Sequence, residues 1–266
     1  MNGQRATEAL GGAIVDLDGT MLRSTEPISG AREGIEGLLA AGIDVLYVSN
    51  TTSKSRAECV RRLQNMGIDA AYDDVITAAS ATASYLASNE FEDAHVIGDG
   101  ALFEEIRNAG ISIPESPDVA DVLVVGKDNE FDYDKLTNAL RALDDETPFV
   151  ATNLDRTSPT STGEVPGTGA IVGAVEGTTG RSPDVVVGKP YDYLARMALE
   201  KLELNAADCC IIGDSLEIDV RMGAEEGMTT VLVLSGVSTR ADVQSAPYEP
   251  DIVVETLSDI STVLTG

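Results

Sequence analysis

Short apolar runs, each ended by a glycine or a polar turn and each followed by a stretch of helical periodicity, recur along this whole chain. That alternation leaves few choices of fold, because strands separated by helices pack as an α/β protein with a largely parallel sheet. The runs that read as strands are Ala13–Val15, Ile43–Val48, His95–Ile97, Val122–Val125, Phe149–Ala151, Val185–Val187, Cys209–Ile212, Thr230–Leu234 and Asp251–Val254. Between them the pattern predicts helices from a Ser29 cap to about Ala41, with Gly42 as the stop, and from Ser53 or Ser55 to Gly67. Further helices are predicted over Ala101–Ala109, Tyr133–Leu143, Thr168–Thr179, Tyr191–Leu202, Leu216–Glu226 and Leu257–Leu264.

The 266 residues suffice for one large domain or for a core with an insertion, and 43% are apolar, enough for a substantial core. No run approaches the ~18–20 apolar residues of a membrane span. The start, Met1-Asn2-Gly3-Gln4-Arg5, is too polar for a signal peptide. Cys59, Cys209 and Cys210 form neither a disulfide framework nor a zinc pattern. These features predict a cytoplasmic protein with no membrane partner. Acids outnumber bases by 45 to 18, a formal net charge of −27, and they are spread along the chain. Only five of the basic residues are lysines. Such a surface repels itself at low ionic strength and is relieved near 1 M salt, where the screening length is about 3 Å. The composition points to a salt-loaded, halophilic setting, and it speaks against nucleic acid as a partner.

Chemistry-bearing residues stand where the strands end, which is where an open α/β sheet binds its ligands. Asp16-Leu17-Asp18-Gly19-Thr20 follows the first strand. If the extended geometry persists, Asp16 and Asp18 point to the same side, and two carboxylates so placed repel unless a proton or a cation intervenes. A hard oxygen site of this kind suits Mg²⁺. Ser49-Asn50 follows Val45–Val48, Gly188-Lys189-Pro190 follows Val185–Val187, and Gly213-Asp214, with Asp219 five residues later, follows Cys210–Ile212.

This order of acid pair, hydroxyl, lysine and second acid pair resembles the haloacid-dehalogenase-like superfamily of aspartate-nucleophile phosphatases. Gly188-Lys189-Pro190 and Ala151-Thr152-Asn153-Leu154-Asp155 look like its NagD or p-nitrophenylphosphatase-like branch. The resemblance implies a Rossmann-like parallel-sheet core, residues 1–81 and 184–266, carrying a large inserted α/β cap domain, residues 82–183, through which subunits of this branch often pair as homo-oligomers.

It also implies the chemistry. Asp16 would attack phosphorus to form an aspartyl-phosphate, and Asp18 would protonate the leaving alcohol and later deprotonate water. Mg²⁺ would be held by Asp16, the Asp18 carbonyl and Asp214, with Asp219 orienting that site from behind. Lys189, Ser49 and Asn50 would hold the phosphoryl oxygens, and Asn153, Asp155 and Thr168 would contact the substrate from the cap. The activity implied is Mg²⁺-dependent hydrolysis of a small phosphorylated metabolite. The alternatives are a phosphotransferase or mutase using the same intermediate, and a non-catalytic binding protein; the intact acid and lysine set disfavours the latter.

Three other features invite different readings. Gly98-Asp99-Gly100 and Gly126-Lys127 imitate the fourth and third motifs but lack their company, and they read as cap turns. His95, the only histidine, reads as a structural residue at a strand end. Gly167-Thr168-Gly169 with Gly173 suggests a dinucleotide loop, yet no strand leads directly into it and the fingerprint is incomplete.

Overall fold

A computed structural model of the chain describes residues 10–160, 163–260 and 263. The polar start at Met1–Arg5 and part of the helix predicted over Leu257–Leu264 lie outside these residues.

The elements run β1 (Gly12–Asp16), β2 (Leu22–Arg23), β3 (Glu26–Pro27), α1 (Ala31–Ala40), β4 (Asp44–Ser49), α2 (Arg56–Asn65), β5 (Val75–Thr77), α3 (Ala78–Ser88), β6 (Ala94–Ile97), α4 (Gly100–Asn108), β7 (Val122–Val125) and α5 (Tyr133–Ala142). They continue with β8 (Phe149–Ala151), β9 (Thr157–Thr160), β10 (Gly163–Pro166), α6 (Thr168–Thr179), β11 (Val185–Val186), α7 (Asp192–Leu202), β12 (Cys209–Gly213), α8 (Arg221–Glu226), β13 (Thr229–Val233), α9 (Arg240–Val243) and β14 (Ile252–Val254). The α/β class expected from the alternation is the class found. Two compact units result: Met1–Ser49, Val60–Val75 and Ala195–Gly266 form the first, and Asn50–Cys59 with Ile76–Leu194 the second.

The first unit is built on a six-stranded sheet of order β14-β13-β12-β1-β4-β5. β1 pairs in parallel with β12 on one side and β4 on the other. Every residue of β1 and of β12 is buried, as continuous apolar strands are when helices cover both faces of a parallel sheet. Leu216, Val220 and Leu232 form a core cluster under one of those faces.

The second unit has a parallel sheet of four strands, in the order β11-β8-β7-β6, and an antiparallel β9–β10 hairpin. Its core joins Ile97, Leu123, Val125, Phe149 and Ala151 of the sheet to Ile171, Val172 and Val175 of α6.

Several local expectations need correcting. Ser29 does not cap α1: Gly30, at φ 82°, precedes the helix and no side chain caps it. At α2 the Ser55 alternative holds, with Ser55 and Glu58 exchanging main-chain-to-side-chain bonds of 2.9 and 3.3 Å in a capping box. The helix predicted over Leu216–Glu226 begins as a π-helical stretch, Leu216–Val220, before α8. At the chain's end Leu257–Asp259 form a single 3₁₀ turn.

Candidate active site

In the first unit the topology gathers the motifs. Because β12, β1 and β4 are adjacent and parallel, their carboxyl ends share one edge of the sheet, with Asp16 opposite Val48 in register. Asp16 ends β1, Ser49 ends β4 and Asp214 directly follows β12. The connections leave β1 towards opposite sides, so this edge is a topological switch point, the place where such sheets form a crevice.

Asp16, Ser49, Asp214 and Asp219 are all buried. Carboxylate oxygens of Asp16, Asp214 and Asp219 lie within 4.8 Å of one another. Three buried carboxylates this close repel one another unless a cation stands among them. Their surroundings are shaped to keep them there. A Cβ added at Gly236 would fall 1.7 Å from Asp214 Oδ2, one at Gly19 would fall 2.1 Å from the same atom, and one at Gly213 would fall 2.2 Å from Asp219 Cγ. Glycine alone allows the backbone to approach these carboxylates so closely. Oxygen-only donors in a cradle this tight fit a hard divalent ion such as Mg²⁺.

Asp219 contributes an oxygen to this cluster, and its Oδ2 accepts from the Ser215 N–H at 3.2 Å. It lies in the π-helical stretch, a backbone irregularity common at functional sites.

Asp18 departs from the expected geometry. β1 stops at Asp16, so Asp18 lies in the turn beyond it, bridged to Leu22. Its carboxylate is not in the Asp16 cluster; Oδ1 accepts from Nη2 of Arg62 at 2.9 Å.

Residues that the sequence reading passed over complete this edge. The loop after β13 supplies Val237, whose N–H donates to Asp214 Oδ2 at 2.7 Å, and Ser238, whose N–H donates to the Asp214 carbonyl at 3.1 Å. Ser235 Oγ donates to the Gly19 carbonyl at 2.8 Å, fastening this loop to the first motif. The signal was available, since Ser235-Gly236-Val237-Ser238 follows a predicted strand as the other motifs do.

In the second unit, Asn50, Asn153, Asp155 and Lys189 form one network. The Asn50 side chain accepts from the Lys189 N–H at 2.8 Å and donates to the Lys189 carbonyl at 2.9 Å. It also donates to both carboxylate oxygens of Asp155, at 3.1 and 3.3 Å. The Asn50 amide is thus committed to organising the loop at Lys189.

Asn153 is buried and donates to the Asn50 carbonyl at 2.9 Å, while its Oδ1 accepts from the Asp155 N–H at 3.1 Å. Lys189 is 2% exposed, a depth at which an ammonium group needs anionic or hydrogen-bonding partners. Thr168 is buried as the first residue of α6.

The glycines on either side of Thr168 have a packing reason of their own. A Cβ at Gly167 would meet the Asp155 carbonyl at 2.2 Å, and one at Gly169 would meet the Leu154 carbonyl at 2.6 Å. The close approach that glycine permits here is to the chain's own loop.

The two imitating motifs are likewise committed within the unit. The Asp99 carboxylate accepts from Asn129 at 3.1 and 2.7 Å, and the Lys127 N–H donates to Thr52 Oγ1 at 3.2 Å.

Comparison with known proteins identifies the lineage. Residues 13–112 match the family model of haloacid dehalogenase-like hydrolases, and residues 186–260 match a second, HAD-hydrolase-like model. The chain belongs to the haloacid dehalogenase-like hydrolases. Within them it is a phosphatase of the NagD-like branch. It is 35% identical to the sugar-phosphatase AraL of Bacillus subtilis over 94% of this chain and 92% of the relative. It is 31% identical to the ribonucleotide monophosphatase NagD of Escherichia coli over 94% and 98%. Among solved structures, the p-nitrophenyl phosphatase from Archaeoglobus fulgidus superposes with a TM-score of 0.92 at 37% identity, covering 96% of this chain and all of that one. NagD from E. coli superposes with a TM-score of 0.87 at 30% identity, covering 95% and 99%. Among the described residues, no helix is long and apolar enough to cross a membrane.

Proposed function

We propose that this phosphatase hydrolyses small phosphorylated metabolites through an aspartyl-phosphate on Asp16, with Mg²⁺ as cofactor. The observation that carries the reading is the convergence of Asp16, Asp214 and Asp219 inside a cradle that no Cβ could share. Asp16 and Asp214, supported by Asp219 and the Asp18 carbonyl, would hold the ion. When bound, Mg²⁺ supplies positive charge that screens the attacking carboxylate from the anionic ester and stabilises the transition state.

The rest is the work of side chains. An Asp16 carboxylate oxygen attacks phosphorus, the bond from phosphorus to the ester oxygen breaks, and Asp18 gives its proton to the departing alkoxide. Asp18, now ionised, takes a proton from water as that water attacks the acyl phosphate. Inorganic phosphate leaves and Asp16 is restored. Lys189 offsets the charge on the phosphoryl oxygens, and Ser49 and the Asn50 main-chain N–H donate to them.

The inserted α/β segment acts as the cap, and Asn153, Asp155 and Thr168 bias substrate choice. Sugar phosphates and ribonucleoside monophosphates lead the substrate panel, because the named relatives act on these classes. The deciding experiment is phosphate release across such a panel, with and without chelator, using Asp16→Asn as the blank. Turnover that needs Mg²⁺, together with a phosphoryl-sized mass gain on quenched wild type but not on Asp16→Asn, is the expected result. Full activity in chelator, or in Asp16→Asn, refutes the mechanism.

A further inference from the structure

Asp18 lies on a turn rather than on a strand, so β1 does not fix its carboxylate. Arg62, in α2, is a side chain that meets it. Nη2 of Arg62 donates at once to Asp18 Oδ1, at 2.9 Å, and to the main-chain carbonyl of Ser24, at 2.6 Å. Ser24 lies between β2 and β3, at φ 57°, at the tip of the small hairpin that follows the first motif. One nitrogen therefore links the turn carrying Asp18 to the tip of that hairpin.

This arrangement is poorly explained by stability. The two side chains are 16% and 31% exposed, so the pair is partly buried and the cost of desolvating both charges offsets much of their attraction. The other terminal nitrogen, Nη1, is covered and has no acceptor among the described residues, which is a cost to the folded state.

We propose that Arg62 is the positioning residue for Asp18. The inference rests on the reading of Asp18 as proton donor and acceptor. A guanidinium only donates, and from one nitrogen Arg62 holds both Asp18 Oδ1 and the Ser24 carbonyl. It thereby ties the Asp18 carboxylate to the hairpin tip and fixes where that side chain stands on its turn. General acid–base transfer requires hydrogen-bond reach to the reacting oxygen, and small misplacements of a reacting group are expensive in rate. Arg62 thus contributes to the leaving-group step without touching substrate.

The test compares two esters in Arg62→Met, Arg62→Lys, Asp18→Asn and the Asp18→Asn/Arg62→Met double variant. An alkyl phosphate needs its leaving oxygen protonated; p-nitrophenyl phosphate releases a stable phenolate and does not. Arg62→Met should lower kcat on the alkyl ester by about 10–100-fold, part of the ~10²–10⁴ available to acid–base catalysis, with little change in KM. The loss on p-nitrophenyl phosphate should be under about threefold on the same grounds. Arg62→Lys retains a cationic donor and should recover part of the alkyl rate; it also keeps the test open if Arg62→Met fails to fold. In the Asp18→Asn background, Arg62→Met should add nothing. Equal losses on the two esters for Arg62→Met, or a further alkyl-ester loss in the double variant, overturn the assignment of Arg62 alone. An Asp18→Asn variant that does not discriminate between the esters overturns the role of Asp18, and this inference with it.

Discussion

Gly236→Ala is the sharpest test of the carboxylate cradle, because one methyl group is asked to occupy space already filled. Its carbon would stand 1.7 Å from Asp214 Oδ2 and 2.3 Å from Asp214 Cγ, distances at which something must move. Either the loop after β13 retreats or Asp214 turns away. Both outcomes break the 2.7 Å bond from the Val237 N–H to Oδ2. A hydrogen bond to a charged group contributes about 1.5–3 kcal/mol, and part of that returns as water reaches the displaced carboxylate. Overpacking by itself costs about 1–3 kcal/mol. A net loss of about 2–4 kcal/mol follows, or ~4–16 °C in Tm at roughly 2–4 °C per kcal/mol for a protein of this size. Moving one of three clustered oxygens should weaken Mg²⁺ binding at least as much as loss of a group that merely orients a ligand, about 10–100-fold. Gly173→Ala is the control: it lies within α6 with nothing within 4 Å of the added carbon. That change should stabilise by about 0.5–1 kcal/mol and leave Mg²⁺ affinity alone. Titration calorimetry with Mg²⁺ and thermal unfolding read both effects. If Gly236→Ala binds Mg²⁺ as wild type does, the cradle does not constrain Asp214 and the argument fails.

Other outcomes follow from charge and burial. With 45 acids against 18 bases, Tm and kcat/KM should both rise from tens of millimolar to molar KCl as the screening length falls to about 3 Å; a flat or falling Tm across the salt series refutes this. Burial pushes the Cys209 thiol up to about 11 and Cys210 up to about 12, and Cys59 is buried too. A thiol reagent at pH 8 should therefore find no reactive cysteine in the native protein and three after unfolding, and rapid native labelling would contradict the packing. Burial also lowers the pKa of His95. The unfolded chain then protonates first as pH falls below about 6.5, so stability present above that value is lost below it. His95→Gln should remove that part of the acid sensitivity, visible as a flatter denaturation midpoint between pH 7 and 5; identical pH profiles for variant and wild type would exclude it.

The sequence alone determined the parallel α/β class and the strands whose ends carry Asp16, Ser49 and Asp214, because apolar runs, turn glycines and polar strand ends are local signals. It missed β5 and α3. Ala78–Ser88 is so rich in small residues, and buried on so many sides, that it shows no amphipathic stripe, although Thr77 and Ser80 form a capping box that marks its start. It missed the β9–β10 hairpin, whose strands carry few apolar residues. What only the tertiary structure decided is which side chains meet. The commitment of the Asn50 amide to Asp155 and Lys189 spans more than a hundred residues of sequence, and so does the fastening of Ser235 to Gly19. The pairing of Arg62 with Asp18 spans 44. Local periodicity holds no information about such distant partners; they are chosen only when segments far apart in the chain pack against one another.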